Sequence, residues 1–354
     1  MRNSYGYESY RGRSRLQTAL TAVAVILFII LLLAVAFFFF AQQYIVYDDQ
    51  GRAHLEFPFL QQVQVTPTPA QPSEPNIVVV TETPQPTPTP TPEPIPAVVE
   101  LPVTALTDGT AAERVADAGG NAALFVMKGE DGTLAYVSEQ EMALGAGMNS
   151  AQEGINEAIA ALNGGELYTI AKISLFKDLN TPYYYSEGNS LRSQSGNWRA
   201  PDGCRWFSPA SPAVREYLTG ICRELCKLGF DEILLDHCAF PAEGHLEWIV
   251  EGELYDPARL TQDLEAFCAQ LREDLSDYPE VRISMTVSPA VLTLAEGDRS
   301  GQTPELFAQY ADRVYLPEPG EREDWSEALA RMGFEGKDLI YPAGTGPQGM
   351  GTYR

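Results

Sequence analysis

The segment from Leu228 to Pro241 constrains the fold more than any other part of the sequence, because a helix end, a tight turn, a buried strand and an acid follow one another there. Gly229 suits the left-handed backbone position that commonly ends a helix. The apolar run Ile233-Leu234-Leu235 is continuous, which is typical of a parallel strand buried on both faces. Asp236 follows directly, so the pattern predicts a carboxylate at the carboxyl end of a strand, where α/β barrels carry their chemistry. An Asp that only caps the next turn is the alternative.

A helix precedes this strand. Ser211 and Pro212 are typical of its first residues, since Ser caps free N–H groups and Pro has none to leave unpaired. Apolar residues then recur at intervals of three and four, and they predict one stripe that packs against a sheet: Val214, Leu218, Ile221, Leu225 and Leu228.

From Val98 onward, strand and helix patterns alternate, which predicts a parallel sheet with crossover helices. The strand candidates are Val98–Thr104, Ala122–Lys128, Tyr168–Phe176, Glu232–Asp236, Arg282–Val287, Arg313–Leu316 and Lys337–Tyr341. Residues 98–354 match the length of an α/β fold of the (β/α)8 TIM-type barrel class, about 250 residues. Only seven strands are visible, because the residues after Tyr341 are too Gly-rich. We therefore expect an incomplete barrel that is open at one seam or patched by the juxtamembrane residues or by Ile77–Val80.

The N-terminal region predicts a membrane anchor. Residues 19–41 carry no charge, and a helix of that length, rising ~1.5 Å per residue, can cross a hydrocarbon core of ~30 Å. A cleaved signal peptide is the alternative, but this run ends in four Phe residues and not in small ones. Residues 1–18 contain four Arg and one acid, and positive flanks stay cytoplasmic. The prediction is a basic cytoplasmic tail, a single-pass signal anchor in the cell membrane, and an extracytoplasmic C-terminal domain.

Two segments link this predicted transmembrane helix to the barrel. Residues 42–64 alternate around the turn signal Asp48–Gly51 and predict a small juxtamembrane hairpin. Residues 65–97 are rich in Pro and Thr, which favours an extended polyproline II linker.

The formal net charge of −24 indicates a surface that repels nucleic acid. The five cysteines lack the spacing of zinc ligands and are expected to be buried thiols, and the three histidines are scattered. No Gly-rich fingerprint follows a strand. We therefore expect no metal and no cofactor.

The segment from Gly229 to Pro241 resembles the "GFDE-strand-DYVRFP" run of the DUF4015 family, a TIM-barrel group of glycoside hydrolases that are often membrane-anchored. Four further segments are similar to family motifs in the same order: Val126–Tyr136 to "DVKDDxGxxxY", Ile173–Asp178 to "VVFKD", Trp198–Pro209 to "W…G…WVDP" and Ser300–Asp312 to "GQ…YVD". The resemblance runs from about Val98 to Pro342. It implies hydrolysis of O-glycosyl bonds in a polysaccharide or cell-envelope glycan, with Asp236 in the site.

Most of the carboxylates that the resemblance implies are replaced in this chain. The residues that stand at the family's polar positions are Val126, Gly129, Ser208, His237, Ala239 and Thr286, the last of them where an acid is expected on the fifth strand. Asp236 is retained.

Glycoside hydrolysis ordinarily uses two carboxyl groups. We predict Asp236 as one, and Glu318, just past the sixth strand, as the second, because both strand ends open on one face of a barrel. A loop acid held between two prolines is the alternative for Glu318. Glu243 and Glu130 are weaker candidates on loops.

Six side chains near strand ends or in the long third loop are predicted to bind substrate: Lys128, Lys177, Asp178, Trp198, Trp206 and His237. The charged ones could hold sugar hydroxyls or only form a salt bridge at the rim. The tryptophans offer flat faces for a pyranose, or they plug the barrel mouth. His237 could carry a proton near neutral pH, or it packs at the rim.

Two functions of different classes remain. The first is a membrane-anchored extracytoplasmic glycoside hydrolase, and the second is a catalytically degenerate, carbohydrate-binding barrel, a pseudoenzyme; an envelope scaffold is a third. A second carboxylate within about 10 Å of Asp236 on the same face would favour the enzyme.

Overall fold

The computed structural model describes residues 45–47, 53–55, 95–293, 298–317, 339–345 and 348–354. The chain divides into two units, residues 1–88 and 89–354. In the first unit, Ile45–Tyr47 and Ala53–Leu55 pair as antiparallel strands in the segment where the sequence predicts a hairpin. Among the described residues, no helix has the length and apolar character needed to cross a membrane. The predicted anchor, residues 19–41, and residues 65–94 of the predicted linker lie outside them.

The second unit is a closed barrel of eight parallel strands. In chain order the strands are β1 (Ala97–Glu100), β2 (Ala122–Lys128), β3 (Tyr168–Ser174), β4 (Glu232–Asp236), β5 (Arg282–Thr286), β6 (Arg313–Tyr315), β7 (Leu339–Pro342) and β8 (Gly351–Tyr353). Each strand pairs with its neighbour along the chain, and β8 pairs with β1 to close the ring. The predicted barrel architecture is confirmed.

The prediction of an open seam was wrong, because β8 fills it. Thr352 of β8 pairs with Tyr341 of β7 on one side and with Ala97 of β1 on the other. A Cβ at Gly351 would lie 2.6 Å from Ile340 Cδ1, so a larger residue here would require the end of that side chain to move. The Gly-rich sequence does not prevent this short strand from forming. The strand Gly351–Tyr353, near the C-terminal end of the sequence, closes the barrel.

The α-helices of this unit are α1 (Ala111–Asp117), α2 (Glu141–Ala146), α3 (Ile155–Asn163), α4 (Thr181–Tyr184), α5 (Pro212–Lys227), α6 (Leu260–Asp274), α7 (Pro289–Thr293) and α8 (Pro304–Tyr310). Short 3₁₀ turns lie at Val103–Leu106 and Leu246–Trp248. The longest helix, α5, begins as predicted, since the Ser211 hydroxyl accepts a hydrogen bond from the Val214 N–H. It is followed by Gly229 with a φ of 86°.

Alternation along the strands decides which side chains face the barrel interior. One apolar cluster fills this interior: Val98, Ala122, Leu124, Ile170, Leu234, Tyr315 and Ile340. A larger cluster contains side chains of the opposite strand faces together with the apolar faces of the helices. Two residues beyond Val98, Ile170 and Leu234 stand Glu100, Lys172 and Asp236. The same alternation therefore turns these three charged side chains inward at the carboxyl end of the barrel.

The loop that follows β3 is long, as the sequence predicts, and it is ordered by two small antiparallel ribbons. Lys177–Asp178 pairs with Arg205–Trp206, and Arg192–Ser193 pairs with Gly196–Asn197. The first ribbon brings Lys177 and Trp206 to the cavity beside Asp236. The loop therefore builds one wall of the barrel mouth.

Candidate active site

Asp236 ends β4 inside the barrel mouth, with its side chain 18% exposed. Its Oδ2 lies 3.4 Å from Lys172 Nζ, and its Oδ1 accepts a hydrogen bond of 3.0 Å from the His237 backbone N–H. Thr286, at the end of β5, hydrogen-bonds to the same carboxyl group through its side chain. Asp236 is thus surrounded by donors on the protein side and open on the cavity side.

The pKa of Asp236 is lowered from its ordinary value. Burial acts in the opposite direction and is the largest single influence, but the charges of His237 and Lys172 and the Thr286 hydrogen bond together outweigh it. Burial in turn lowers the pKa of His237, which favours a neutral imidazole at pH 7. Lys172 is therefore the constant positive partner. Asp236 is ionised near neutral pH, as a nucleophile or a general base must be, and it is not suited to donate a proton.

A second carboxylate, Glu100, lies within reach of Asp236 on the same face. Lys172 Nζ is 3.9 Å from Glu100 Oε2 and 3.4 Å from Asp236 Oδ2. The two carboxylate oxygens are consequently no farther apart than the sum of these distances, about 7.3 Å. Two-carboxylate hydrolysis uses separations of about 5–5.5 Å or 6.5–9.5 Å. A second carboxylate therefore lies within about 10 Å of Asp236, the separation expected above for an enzyme.

Glu130 lies on the far side of the His237 ring. His237 Nδ1 is 3.6 Å from Asp236 Oδ1, and its Nε2 is 3.5 Å from Glu130 Oε1. The other oxygen of Glu130 is 2.7 Å from Lys177 Nζ. The imidazole therefore lies between two acidic groups at the mouth.

His237 is held in an uncommon conformation. Its φ is 52°, in the left-handed region, and among the described residues no other non-glycine residue has a positive φ. The Trp206 ring stands edge-on to the imidazole at a centroid distance of 5.9 Å, and the Ser174 hydroxyl is 3.4 Å from Nδ1. Backbone strain of this kind is often found where a side chain must point in one particular direction.

A cavity of about 360 Å³ opens beside Asp236. Its polar and aromatic lining includes Lys177, Asp202, Trp206, Asp236, His237, Glu243, Thr286, Ser288 and Gln302. Gln302, from the predicted "GQ" motif, donates through its amide to the carbonyls of Cys238 (3.0 Å) and Thr286 (3.1 Å). It thereby ties together the ends of β4 and β5 and sets the relative position of Asp236 and Thr286.

Two residues predicted to bind substrate do not reach the cavity. Lys128 and Asp178 form an ion pair of 2.9 Å, and both side chains are completely buried. Lys128 also donates to the Ser174 carbonyl, and Asp178 accepts from the N–H of Thr181. The prediction of substrate contact is corrected for this pair: it anchors the loop after β3 to the end of β2.

The other predicted residues divide between the cavity and the packing beneath it. Lys177, Trp206 and His237 line the cavity. Trp198 is buried, and its indole N–H donates a hydrogen bond of 2.9 Å to the His245 carbonyl. Its side chain therefore packs beneath the surface and does not line the cavity beside Asp236. Glu318 lies outside the described residues, whereas Pro317, which precedes it in the sequence, lines the cavity.

A cluster of candidate metal ligands already holds a cation of the protein itself. Ligand atoms of Glu130, Asp202 and Cys204 lie within 4.8 Å of one another. Lys177 Nζ, however, is 2.7 Å from a carboxylate oxygen of both Glu130 and Asp202. The Lys177 ammonium group therefore already balances the negative charge of these two carboxylates.

Sequence reasoning missed Glu100 and Lys172. The first predicted strand, Val98–Thr104, placed Glu100 inside a strand, whereas β1 ends at this residue. Lys172 stands two residues after Ile170, so the alternation of β3 contained the signal that it faces inward.

The family model of DUF4015, described as "Putative glycosyl hydrolase domain", matches residues 110–316, which is more than half of the chain. This chain belongs to the DUF4015 family. A search of the curated proteins found no significant match.

Among solved structures, the chain is similar to a hypothetical protein from Ruminiclostridium thermocellum, with 23% identity, a TM-score of 0.44, and coverage of 53% of this chain and 96% of the other. It is also similar to a variant of the glycoside hydrolase domain of PelA from Pseudomonas aeruginosa, with 13% identity, a TM-score of 0.40, and coverage of 69% and 82%. A third is the cycloisomaltooligosaccharide glucanotransferase of a Paenibacillus species, with 13% identity, a TM-score of 0.46, and coverage of 70% and 38%.

Proposed function

We propose that this protein is a membrane-anchored, extracytoplasmic glycoside hydrolase that acts on a polysaccharide or cell-envelope glycan. The observation that carries the proposal is the ionised Asp236 at the end of β4, with a second carboxylate, Glu100, within about 7.3 Å of it on the same face. The family assignment supports the same reaction class.

In this proposal Asp236 is the negatively charged member of the catalytic pair. It attacks the anomeric carbon, or it takes a proton from a water molecule that does so, while a second carboxyl group protonates the leaving oxygen. Lys172 and the Thr286 hydroxyl keep the Asp236 carboxyl group ionised and fix its direction. Trp206 and His237 form the wall against which the sugar packs.

Two residues are candidates for the proton donor. Glu318 follows Pro317, which lines the cavity, and Glu100 shares Lys172 with Asp236. A donor is needed most when the leaving group is a poor one. The Glu→Gln variant of the true donor should therefore lose hydrolysis of native glycans but retain much of its hydrolysis of nitrophenyl glycosides, whereas the other variant should affect both substrates alike.

The test of the function is hydrolysis of a glycan panel by the full-length protein, beside its Asp236→Asn variant. We expect reducing ends to appear with the parent protein and not with the variant. Equal hydrolysis by both would refute the role of Asp236, and no hydrolysis of any glycan by the parent would refute the enzyme.

A second candidate function is glycan binding without turnover. The specific observation that favours it is that two carboxylates close to Asp236 already have lysine partners: Glu100 lies 3.9 Å from Lys172, and Glu130 is 2.7 Å from Lys177. Thr286 stands where the family resemblance implies an acid. Glycan binding by the parent protein together with absent hydrolysis would establish this alternative.

The proposed location rests on the uncharged residues 19–41 and the four Arg before them. Fractionation should recover the protein in membranes, and protease added to intact cells should cleave the barrel domain while a tag at the N-terminus stays protected. Recovery in the soluble fraction would refute the anchor.

A further inference from the structure

A second pocket, of about 500 Å³, lies in the loop after β3 and shares no lining residue with the cavity beside Asp236. Three arginines surround it: Arg192, Arg199 and Arg205. Three aromatic residues also line it: Trp248 from the 3₁₀ turn Leu246–Trp248, Tyr183 from α4, and Trp198. The remaining lining is polar and consists of Ser186, Ser193, Ser195 and Asn197. We will refer to it as the arginine pocket.

The three guanidinium groups have neutral hydrogen-bond partners. Arg192 donates to the Ser186 hydroxyl (3.2 Å) and to the Asn197 amide oxygen (3.1 Å), Arg199 donates to the Gly203 carbonyl (3.2 Å), and Arg205 donates to the Leu179 carbonyl. Within the described part of the chain, none of them forms an ion pair with a carboxylate. The chain has 48 acidic and 24 basic residues, so three unpaired arginines in one place are an unusual concentration of positive charge.

Part of this charge is buried. Arg205 is only 7% exposed, and its guanidinium lies over the Tyr183 ring at 5.0 Å. Its pKa is lowered, first by burial and then by the positive charge of Arg199. Two like charges that repel each other next to a pocket are stabilised by an anion between them, and a guanidinium fork suits the oxygens of carboxylates, sulfates and phosphates.

The pocket also presents a flat aromatic surface. Trp248 is 57% exposed, and the His245 ring stacks behind it at 3.8 Å with an interplanar angle of 10°. Glu247, the carboxylate next to it, is 2.9 Å from His245 Nδ1 and therefore has its own partner. An exposed, fixed indole is suited to the apolar face of a pyranose.

We propose that the arginine pocket binds an anionic sugar unit, a pyranose that carries a carboxylate, sulfate or phosphate group, at a position separate from the cavity beside Asp236. The ring packs on Trp248, and the anionic group is bound by the three arginines Arg192, Arg199 and Arg205. The choice of a sugar rests on the function proposed above, but binding in this pocket needs no step of hydrolysis. The substrate class is accordingly an acidic glycan.

The test is binding by the full-length protein in detergent micelles, with Asp236→Asn introduced so that no ligand is hydrolysed. The probes are galacturonate, sulfated and phosphorylated oligosaccharides and, as the neutral reference, cellohexaose, each titrated calorimetrically at low and high salt. We expect at least one anionic probe to bind more tightly than cellohexaose, with an affinity that falls as salt rises. Arg192→Gln with Arg199→Gln should weaken that binding about tenfold or more, and Trp248→Ala should weaken it as well.

Arg223→Gln is the control, because Arg223, on α5, pairs with Asp274 at the end of α6 and does not line the pocket. The proposal is overturned if no anionic probe binds, if cellohexaose binds as tightly as the anionic probes, or if the paired arginine substitutions act no differently from the control. Hydrolysis by the parent protein is measured separately, so a failure of the enzyme proposal leaves this outcome unaffected.

Discussion

Strand β4 carries a carboxylate at each end, and the two differ in how completely the protein surrounds them. Glu232, at its start, is fully buried and paired with Arg313, and it accepts hydrogen bonds from the hydroxyls of Tyr168 (2.8 Å) and Tyr315 (3.1 Å). Asp236, at its end, keeps 18% of its side chain exposed, and its lysine partner lies 3.4 Å away.

The difference separates a structural charge from one that is available for chemistry. Both oxygens of Glu232 accept hydrogen bonds from barrel side chains, and the side chain is completely buried, so this carboxylate is closed to a ligand. Asp236 has donors on one side and a cavity on the other. A charge that is held in its ionised form and left open to solvent is what an active site requires.

The largest expected effect is the loss of hydrolysis when Asp236, the partly exposed carboxylate at the end of β4, is replaced. Asp236→Asn should lower the hydrolysis rate on the order of 10³-fold, because an amide can neither attack carbon nor take a proton effectively. Its free energy of unfolding should change by less than about 1 kcal/mol, since the ion pair with Lys172 is partly exposed. Steady-state kinetics and urea unfolding of the same preparation measure both quantities. A large loss of stability would show that Asp236 belongs with Glu232 as a structural charge.

Glu232→Ala should differ from Asp236→Asn in that its main effect is a large loss of stability. It leaves Arg313 buried without its carboxylate, which costs about 3–5 kcal/mol of stability. Urea unfolding measures the loss. The double variant Glu232→Ala with Arg313→Met should recover part of it, because the buried positive charge is removed together with the carboxylate. If Glu232→Ala is as stable as Asp236→Asn, the comparison between the two ends fails.

A smaller effect is expected at Lys172, which helps to hold the pKa of Asp236 below its ordinary value. A lowered pKa keeps the carboxylate ionised as the pH falls. In the parent protein, the midpoint of the acidic limb of the pH–rate profile should therefore lie at a pH below the ordinary pKa of Asp. Lys172→Met should move this limb to higher pH and cause a severalfold loss of rate near pH 4 relative to pH 6. Lys172→Arg preserves the charge and should preserve the limb. An unchanged limb in Lys172→Met would exclude Lys172 as its cause.

Local patterns in the sequence were sufficient for the elements on which Asp236 depends. The cap at Ser211, the apolar stripe of α5 and the glycine at position 229 each describe the structure that forms there. The position of Asp236 at the end of β4 was predicted in the same way, from the apolar run Ile233–Leu235 that directly precedes it.

Contacts between residues on different strands could not be predicted from local sequence patterns. Glu100 and Lys172 belong to β1 and β3, and their approach to Asp236 depends on the register of several strands. Lys128 was placed at the mouth by its position at a strand end, but the register of β2 against β3 shifts between Val126 and Lys128. An irregularity of this kind changes the side to which a residue points, so alternation no longer predicts it.

The smallest expected effect concerns the backbone beside Asp236, where the mouth carries strain that the described base of the barrel does not. The φ of 52° at His237 is tolerated by Asn but disfavoured for a β-branched residue. His237→Val should therefore be less stable than His237→Asn by about 1–2 kcal/mol, measured by urea unfolding. The control is the same pair of substitutions at His245, which is exposed and has a φ of −82°. If the Val and Asn variants differ in free energy of unfolding by the same amount at both positions, the left-handed backbone of His237 does not lower the stability of the protein.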